Sequence, residues 1–350
     1  MEFSPDQTDI LSLPYPALVQ WLAAHKLKSY RADQIMQWIY QGQVDSFELM
    51  TNLAKRHREL LAKQFSIGRL KILQTLDSRD GSRKFLFQCR DGATIETVLI
   101  PEKGHHTLCV STQVGCAMGC KFCCTASGGF TRNLEAHEII SQVRDIKATM
   151  EDPIQLRNLV FMGMGEPLAN WDNLKQALDV IMNNDWGLEF SGRRVTVSTV
   201  GLAPNIAALG SDTRVKLAVS LNAPDNEIRD QIMPINKKYP IEVLLQACKD
   251  FPVDHSRRIT FEYVLLKGIN DSPEHARKLG KLLAHLPCKI NLIPYNPHEN
   301  SPYQRPDPQA VDAFLQVLLD KNYTAIVRHS KGLDIQAACG QLRAANIGQD

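Results

Sequence analysis

The sequence lacks long apolar runs, a dominant charge and low-complexity segments. No stretch approaches the roughly eighteen apolar residues of a membrane span. The first sixteen residues show neither the charged nor the apolar region of a secretory signal. Lys+Arg (40) nearly cancel Asp+Glu (38), which excludes a strongly basic nucleic-acid binder of the usual kind. We therefore expect a globular protein of the cytoplasm.

The chain has 350 residues, of which 44% are hydrophobic and 22% charged, as in ordinary globular proteins. This length suggests one large domain and a smaller one, with a core that needs no disulfide bonds. Nine cysteines are present, and five of them fall within residues 109–124. In a reducing compartment, clustered cysteines bind metal or act in catalysis more often than they form disulfide bonds.

The spacing of apolar residues changes along the chain and predicts three parts. Residues 15–64 carry apolar side chains at helical spacing. Residues 70–101 contain Asp80-Gly81 and Asp91-Gly92 between alternating segments, which predicts three short antiparallel strands. The predicted domains are an N-terminal helical accessory domain (1–68), a β-hairpin extension (69–101) and a core domain (102–350).

The helical part carries a local excess of positive charge. Between residues 20 and 70 there are eight Lys/Arg and four Asp/Glu, with Trp21, Tyr30, Trp38 and Tyr40 interleaved. Two interpretations remain open. The segment is either a helical domain with aromatic core residues and a solvated basic face, or a docking surface for a polyanion such as RNA.

From residue 106 onwards, strand and helix patterns alternate. Repeated βα units predict an α/β fold with a parallel sheet and outer helices, and about six units predict a partial (βα)6-type barrel. Active sites in that architecture form at the carboxyl ends of the strands. The predicted strands are residues 106–112, 157–163, 194–199, 215–222, 258–266, 289–296 and 324–329.

The most specific motif is Cys116-Ala-Met-Gly-Cys120-Lys-Phe-Cys123, which follows the first of these strands. Three thiolates favour a soft metal site, either iron–sulfur or zinc. A 4Fe-4S cluster normally has four cysteine ligands, so three leave one iron open for a substrate or cofactor. The alternative is a structural zinc site completed by His105 or His106. Cys124 is expected to be a bystander.

Polar residues follow several of the predicted strands on the side that carries the cysteine loop. One such site alone is weak, since Ser and Asn are common turn formers, but together they predict one convergent pocket. A glycine lets the backbone approach a ligand closely, and a glutamate can accept a hydrogen bond from an ammonium group. The candidates are Gly165, Glu166, Ser198, Ser220, Leu221, Asn222 and Asn296.

Three further residues are marked outside this pocket. Glu96 shares a strand face with Val98 and Ile100, and the sequence leaves open whether it is functional or lies in solvent on an edge strand. Taken alone, Cys109 and Cys339 are expected to be buried core thiols, since free cysteine packs as a small hydrophobe. Cys89, Cys248 and Cys288 are placed in the same class.

Taken together, these motifs resemble the RlmN/Cfr family of radical S-adenosylmethionine RNA methyltransferases. The resemblance covers nearly the whole chain, with the motifs in the family's order. They are Tyr30-Arg-Ala-Asp-Gln-Ile-Met-Gln-Trp-Ile-Tyr40, Glu96-Thr-Val-Leu-Ile-Pro101, Ser111-Thr-Gln-Val-Gly-Cys116, Phe161-Met-Gly-Met-Gly-Glu-Pro167, Asn291-Leu-Ile-Pro-Tyr-Asn296 and Ala337-Ala-Cys-Gly-Gln-Leu342. Leu333 stands where the family often has an acidic residue, and Cys124 where small or hydroxyl residues are common.

The resemblance implies a role for each candidate. Cys116, Cys120 and Cys123 would hold one 4Fe-4S cluster, and the seven strand-end residues would bind S-adenosylmethionine. Cys339 would carry the methyl group, Cys109 would resolve the intermediate as a disulfide, and Glu96 would accept a proton. Electrons would come from a donor such as flavodoxin or ferredoxin.

The implied substrates are adenosine 2503 of 23S rRNA and adenosine 37 of certain tRNAs, each methylated at carbon 2. Carbon 2 of adenine has no nucleophilic lone pair, so direct displacement on a methylsulfonium is not available, and a methylated cysteine intermediate supplies a radical route. Two alternatives stay open. One is the Cfr-like reaction at carbon 8, and the other is a zinc-stabilised RNA-binding protein without catalysis.

Overall fold

A computed structural model gives the structure of residues 7–253, 257–298 and 301–343. The strands are β1 (Thr8–Asp9), β2 (Phe65–Ser66), β3 (Lys71–Asp77), β4 (Arg83–Gln88), β5 (Thr94–Glu102), β6 (His105–Cys109), β7 (Gln113–Gly115), β8 (Phe130–Asn133), β9 (Leu156–Phe161), β10 (Val195–Thr199), β11 (Lys216–Ser220), β12 (Ile259–Leu265), β13 (Cys288–Pro294) and β14 (Ala325–Val327). The helices are α1 (Tyr15–Ala24), α2 (Tyr30–Tyr40), α3 (Lys55–Gln64), α4 (Cys124–Ser127), α5 (Ala136–Thr149), α6 (Trp171–Met182), α7 (Ala203–Asp212), α8 (Asn226–Ile232), α9 (Ile241–Asp250), α10 (Pro273–Leu282) and α11 (Pro308–Asp320).

The chain divides into two compact units, and the first is mostly helical. It contains the chain up to Lys71 together with Leu134–Leu156 and Asp172–Ser191. The predicted helices at 15–64 are confirmed as α1, α2 and α3. In α2 the buried residues recur at helical spacing, so one face of the helix enters the core; they are Ala32, Ile35, Met36, Ile39 and Tyr40.

A buried ion network stabilises this first unit. Asp145 on α5 is 4% exposed and accepts hydrogen bonds from the Arg69 guanidinium at 3.0 Å and from the Leu70 backbone N–H at 2.8 Å. Arg144 is fully buried, and its Nε lies 2.8 Å from the same carboxylate while its Nη2 donates to the Gly68 carbonyl. Because burying a charge is costly unless it is paired, Asp145 is the residue that makes a buried Arg144 tolerable.

The second unit is built on one large mixed sheet. It contains Ile72–Asn133, Arg157–Trp171 and the chain from Gly192 onwards. Among the described residues the strand order is β14-β13-β12-β11-β10-β9-β6-β5-β4-β3. From β9 to β14 the pairing is parallel, and each strand lies beside its neighbour in sequence. The α/β class and the parallel sheet are therefore confirmed, and all seven predicted strands are present.

The two faces of the parallel sheet differ in their side chains. Tyr263 of β12 packs against Phe314 of α11 with ring centroids 5.3 Å apart, so this face is covered by an outer helix. Successive residues of a strand point to opposite faces, which puts Thr260, Glu262 and Val264 on the other face. We call this second face the inner face. The polar strand-end residues lie at the carboxyl ends of β9, β10, β11 and β13, and the cysteine loop follows β6 and β7.

The predicted antiparallel extension is confirmed as β3, β4 and β5. Gly81 (φ +84°) and Gly92 (φ +86°) occupy the left-handed conformation that each hairpin turn requires. β5 pairs with β4 on one side and with β6 on the other, so it is an interior strand. Glu96 is 5% exposed, and the interpretation that it lies in solvent on an edge strand is wrong.

The two compact units divide the chain differently from the three predicted domains, which remain a prediction. Residues 134–156 and 172–191, which include α5 and most of α6, group with the N-terminal helices. No helix among the described residues is long and apolar enough to cross a membrane.

Asp145→Ala should lower the free energy of unfolding by about 3 kcal/mol, because it leaves the buried Arg144 charge without its partner. Urea denaturation at neutral pH measures the change. The control is Asp172→Ala, which removes an exposed carboxylate near the start of α6. Equal losses in the two variants would contradict the role given to the buried network.

Candidate active site

The three motif cysteines lie in a loop closed by a small hairpin. β7 precedes the loop and pairs with β8, which follows α4. Gly115 ends β7 at φ +74°, and a Cβ there would lie 2.0 Å from the Gly129 carbonyl oxygen, so only glycine fits. The Cys116 N–H donates to the same carbonyl at 2.7 Å. The loop geometry is therefore fixed by backbone contacts on both sides of the cysteines.

The donor set fits a soft, multiply charged metal group. All three cysteines are free thiols. Burial raises the pKa of Cys116 to about 12 and that of Cys120 well above its ordinary value, and the neighbouring Cys123 adds to both increases. Cys120 packs against Ile232, Met233, Leu266 and Tyr295. In such apolar surroundings thiolates need a positive partner, and an iron–sulfur cluster supplies one.

The alternative of a zinc site needs a histidine as the fourth ligand beside the three cysteines. His105 and His106 lie at the beginning of β6, at the opposite end of the strand from the loop, and His105 Nε2 lies 2.9 Å from the Asn158 amide.

Glu166 follows β9 and is almost completely buried, at 1% exposed. Its two oxygens accept hydrogen bonds from the backbone N–H groups of Leu168 at 3.0 Å and Val200 at 2.8 Å. Burial raises the pKa of the carboxyl to about 7, partly offset by these hydrogen bonds. Gly165 has φ +103°, and a Cβ there would lie 2.6 Å from the Gln113 Cβ. The backbone must therefore come close to Gln113 at this point.

The remaining strand-end candidates divide into two groups. Ser198 pairs with Ala218 and Ser220 with Glu262, so both serines are half-buried on the inner face. Leu221 and Asn222 are buried instead, and the Asn222 side-chain oxygen accepts from the Val264 N–H at 2.8 Å. The Asn222 side chain thereby joins the end of β11 to β12.

A second cluster of candidates lies on one face of the antiparallel strands. Lys84 pairs with Val98 across β4 and β5, and Val98 pairs with Cys109 across β5 and β6. Paired residues share a face, and Glu96 shares it because it lies two residues from Val98. The register therefore puts Lys84, Glu96 and Cys109 on the same side of the sheet.

The chain returns to this face in its C-terminal segment (residues 332–343). Asn296, after β13, donates from its side-chain amide to the Cys339 carbonyl at 3.2 Å. The Cys124 N–H donates to the Gly340 carbonyl at 2.7 Å, so this residue contacts the segment through its backbone. The other contacts are Thr125 Oγ1 to the Leu342 carbonyl at 2.6 Å, Gln341 Nε2 to the Pro297 carbonyl at 2.8 Å and the Arg343 N–H to Glu96 Oε2 at 2.8 Å.

The two spare cysteines lie near each other, with different exposure. Cys109 is buried, and burial raises the pKa of its thiol above the ordinary range; the Cys339 thiolate adds to the increase. Cys339 is exposed to solvent, although the surrounding protein and the Glu262 carboxylate raise its pKa to about 11. The expectation that Cys339 is a buried core thiol is therefore wrong. Both are free thiols.

Sequence reasoning missed three buried ionisable residues at the site. Lys84 and Glu262 are each 8% exposed, and Arg229 is fully buried. Arg229 donates to the Val200 carbonyl at 2.6 Å and to the Leu221 carbonyl at 3.1 Å, which ties the ends of β10 and β11 together. A single charged residue inside an apolar strand was the available signal for Glu262, whereas Lys84 follows Arg83 in β4 and gave a weaker signal. Arg229 lies in a polar helix and gave none.

Glu262 should make the stability of the fold depend on pH. Burial raises the pKa of its carboxyl from 4.5 to about 7, so between these values the folded state keeps a proton that the unfolded state has lost. This contribution is present below the lower value and is lost as the pH rises through about 7. In the unmodified chain, Asn291 Nδ2 donates to the Glu262 carboxylate at 2.8 Å. Glu262→Gln removes the titratable carboxyl group, and its amide oxygen can still accept this hydrogen bond.

The stability of Glu262→Gln relative to the unmodified chain should therefore increase between pH 5 and pH 8, by on the order of 3 kcal/mol at most. Urea denaturation at the two pH values measures this change, and Glu151→Gln, at an exposed position, is the control. A difference that is the same at both pH values would refute the raised pKa.

Comparison with known proteins agrees with this arrangement. Residues 8–67 match the model of the ribosomal RNA large subunit methyltransferase N-terminal domain, and residues 110–279 match that of the radical SAM superfamily. A solved structure described as a radical SAM methyltransferase from Sphaerobacter thermophilus is 41% identical and superposes with a TM-score of 0.89, covering 97% of this chain and 100% of that one.

Curated relatives extend over almost the whole sequence. The protein named dual-specificity RNA methyltransferase RlmN from Desulfosudis oleivorans is 54% identical, over 96% of this chain and 91% of its own length. The protein of the same name from Geobacter sulfurreducens is 50% identical, over 96% of this chain and 92% of its own length. The chain belongs to the RlmN family of radical SAM RNA methyltransferases, and it is an enzyme of that class.

Proposed function

We propose that this enzyme methylates carbon 2 of adenosine 2503 in 23S rRNA and of adenosine 37 in certain tRNAs, with Cys339 as the methyl carrier. The observation that carries the proposal is the C-terminal segment, which brings Cys339 near Cys109 on the sheet face that also holds Glu96. Transfer of a methyl group through a cysteine requires three groups. These are a thiol that carries the methyl, a second thiol that releases the product, and a carboxylate that accepts a proton.

Cys116, Cys120 and Cys123 would hold a 4Fe-4S cluster, with the fourth iron open to S-adenosylmethionine. When bound, the cluster supplies the electron that starts the radical chemistry, and a flavodoxin or ferredoxin would in turn reduce it. The residues proposed to line the S-adenosylmethionine site are Gly165, Glu166, Ser198, Ser220, Leu221, Asn222 and Asn296. The free thiols of the mechanism need a reducing compartment, so we place the enzyme in the cytoplasm.

The protein's own residues account for the later steps. Cys339 takes the methyl group as a thioether. The radical that the bound cluster and S-adenosylmethionine would supply removes one hydrogen atom from this methyl, and the carbon then links the Cys339 sulfur to carbon 2 of the base. Glu96 accepts the proton that leaves carbon 2, and the remaining unpaired electron would return to the oxidised cluster. The Cys109 thiolate attacks the Cys339 sulfur, so an S–S bond forms and the C–S bond breaks. The carbon leaves with the electron pair and, once protonated, becomes the methyl group of the product. External thiol then reduces the disulfide.

RNA docking is proposed for the helical unit. Lys28 and Arg56 are exposed, and Tyr30 is 46% exposed with the Arg31 guanidinium 4.9 Å from its ring centroid. Exposed cations next to an aromatic ring suit phosphates and an unstacked base. Partial burial lowers the pKa of His57, and Arg56 and Arg31 lower it further, which indicates that positive charge is concentrated here.

Cys339→Ala should abolish RNA methylation while iron and sulfide content stay unchanged, because the carrier is lost and the cluster ligands remain. The test is complementation of a strain that lacks its own enzyme, followed by mass spectrometry of digested rRNA and tRNA. The unmodified chain should yield 2-methyladenosine. Cys248→Ala, at a buried position on α9, is the control and should keep full activity. Methylation by Cys339→Ala, or 8-methyladenosine as the product, would contradict the proposal.

Lys28→Ala combined with Arg56→Ala should weaken RNA binding about tenfold and reduce the dependence of affinity on salt, because fewer counterions are released. Filter binding over a range of salt concentrations measures both effects. The control is Lys249→Ala combined with Lys281→Ala, which removes two exposed charges from the other unit. An unchanged salt dependence would place the RNA contacts elsewhere.

A further inference from the structure

Lys84 is a buried cation that the proposed mechanism does not use. It lies in β4, between strands on both sides, and is 8% exposed. Lysine is almost never buried without a partner, because its charge loses hydration there. Its partner is Glu96: the Lys84 Nζ lies 2.9 Å from Glu96 Oε1.

The same ammonium group reaches the C-terminal segment. Lys84 Nζ donates to the Gln336 carbonyl at 3.2 Å, three residues before Cys339. The other oxygen of Glu96 accepts from the Arg343 N–H at 2.8 Å, four residues after Cys339. One ion pair therefore holds the stretch around the carrier cysteine at both ends.

An ion pair of this kind is weak evidence for a role in stability. Replacing a buried pair by apolar residues of similar volume is often neutral or stabilising. A pair whose two members each bind the same stretch of backbone fixes the geometry of that stretch, and small displacements of reacting groups have large effects on rate. Glu96 and the Cys339 sulfur act at the same carbon atom of the base, so their relative positions must be fixed.

We propose that Lys84 is a positioning residue, which orients the Glu96 carboxylate and locks the Cys339 segment to it through a single ion pair. This role rests on the proposed function of Glu96 and Cys339. When the proton moves from carbon 2 of the base to Glu96, the carboxylate becomes neutral and loses its attraction to Lys84. The ammonium keeps its hydrogen bond to Gln336, so the segment stays in place while Cys109 attacks.

Lys84→Met tests the proposal in the cluster-loaded enzyme, with three readouts. These are iron and sulfide content, methylation of Cys339 by peptide mass spectrometry, and the covalent adduct between Cys339 and RNA that survives denaturation. Without an oriented base the adduct loses its proton slowly. Lys84→Met should therefore keep the cluster and the methyl on Cys339, accumulate the adduct and release methylated RNA about a hundredfold more slowly.

Three variants complete the comparison. Glu96→Gln should accumulate the same adduct, and Lys84→Arg, which keeps the charge, should restore part of the release rate. Lys103→Met removes an exposed lysine from the turn between β5 and β6 and should behave like the unmodified enzyme.

The outcomes separate this role from the function on which it rests. If the unmodified enzyme never carries a methyl on Cys339, the proposed function fails and the role of Lys84 fails with it. If the unmodified enzyme does, release at the normal rate by Lys84→Met would overturn the positioning role. Loss of Cys339 methylation in both Lys84 variants would also overturn it, because that result indicates a purely structural residue.

Discussion

The site depends on one constraint, which is the attachment of the C-terminal segment to the face formed by β4, β5 and β6. Lys84 and Glu96 bind the segment on either side of Cys339, and Thr125 and Asn296 bind it from the cysteine loop and from the end of β13. The contacts from Lys84, Glu96 and Thr125 join parts of the sequence more than 200 residues apart. Without them Cys339 would have no defined relation to Cys109 or to the motif cysteines.

The parallel strands supply the second half of the site, and buried polar groups hold their carboxyl ends. Glu166 bonds the backbone that follows β10, Arg229 joins the ends of β10 and β11, and Asn270 donates to the Asn222 and Val264 carbonyls at 2.7 Å each. Such groups are costly to bury unless every hydrogen bond is made. These hydrogen bonds therefore make the carboxyl ends of the strands a rigid rim around the site.

Local patterns predicted most of the fold. The Asp-Gly turns, the alternation of strands and helices and the cysteine spacing each depend on short-range physics, and the structure has the strands where these patterns put them. These local patterns could not predict which distant segments pair with one another. Whether Glu96 lay in solvent depended on β5 being flanked by β4 and β6, and the burial of Lys84 depended on a partner at position 96 and on Gln336. Cys339 looked like a core thiol because its exposure is set by contacts on neighbouring residues.

The central claim is that Cys339 carries the methyl group. Trypsin releases it in the peptide of residues 332–343, where it is the only cysteine. Mass spectrometry of this peptide from enzyme made in cells with labelled methionine measures the claim directly. The account predicts one labelled methyl group on the Cys339 sulfur and none on the other cysteines. RNA methylation by an enzyme whose Cys339 never carries the label would contradict it.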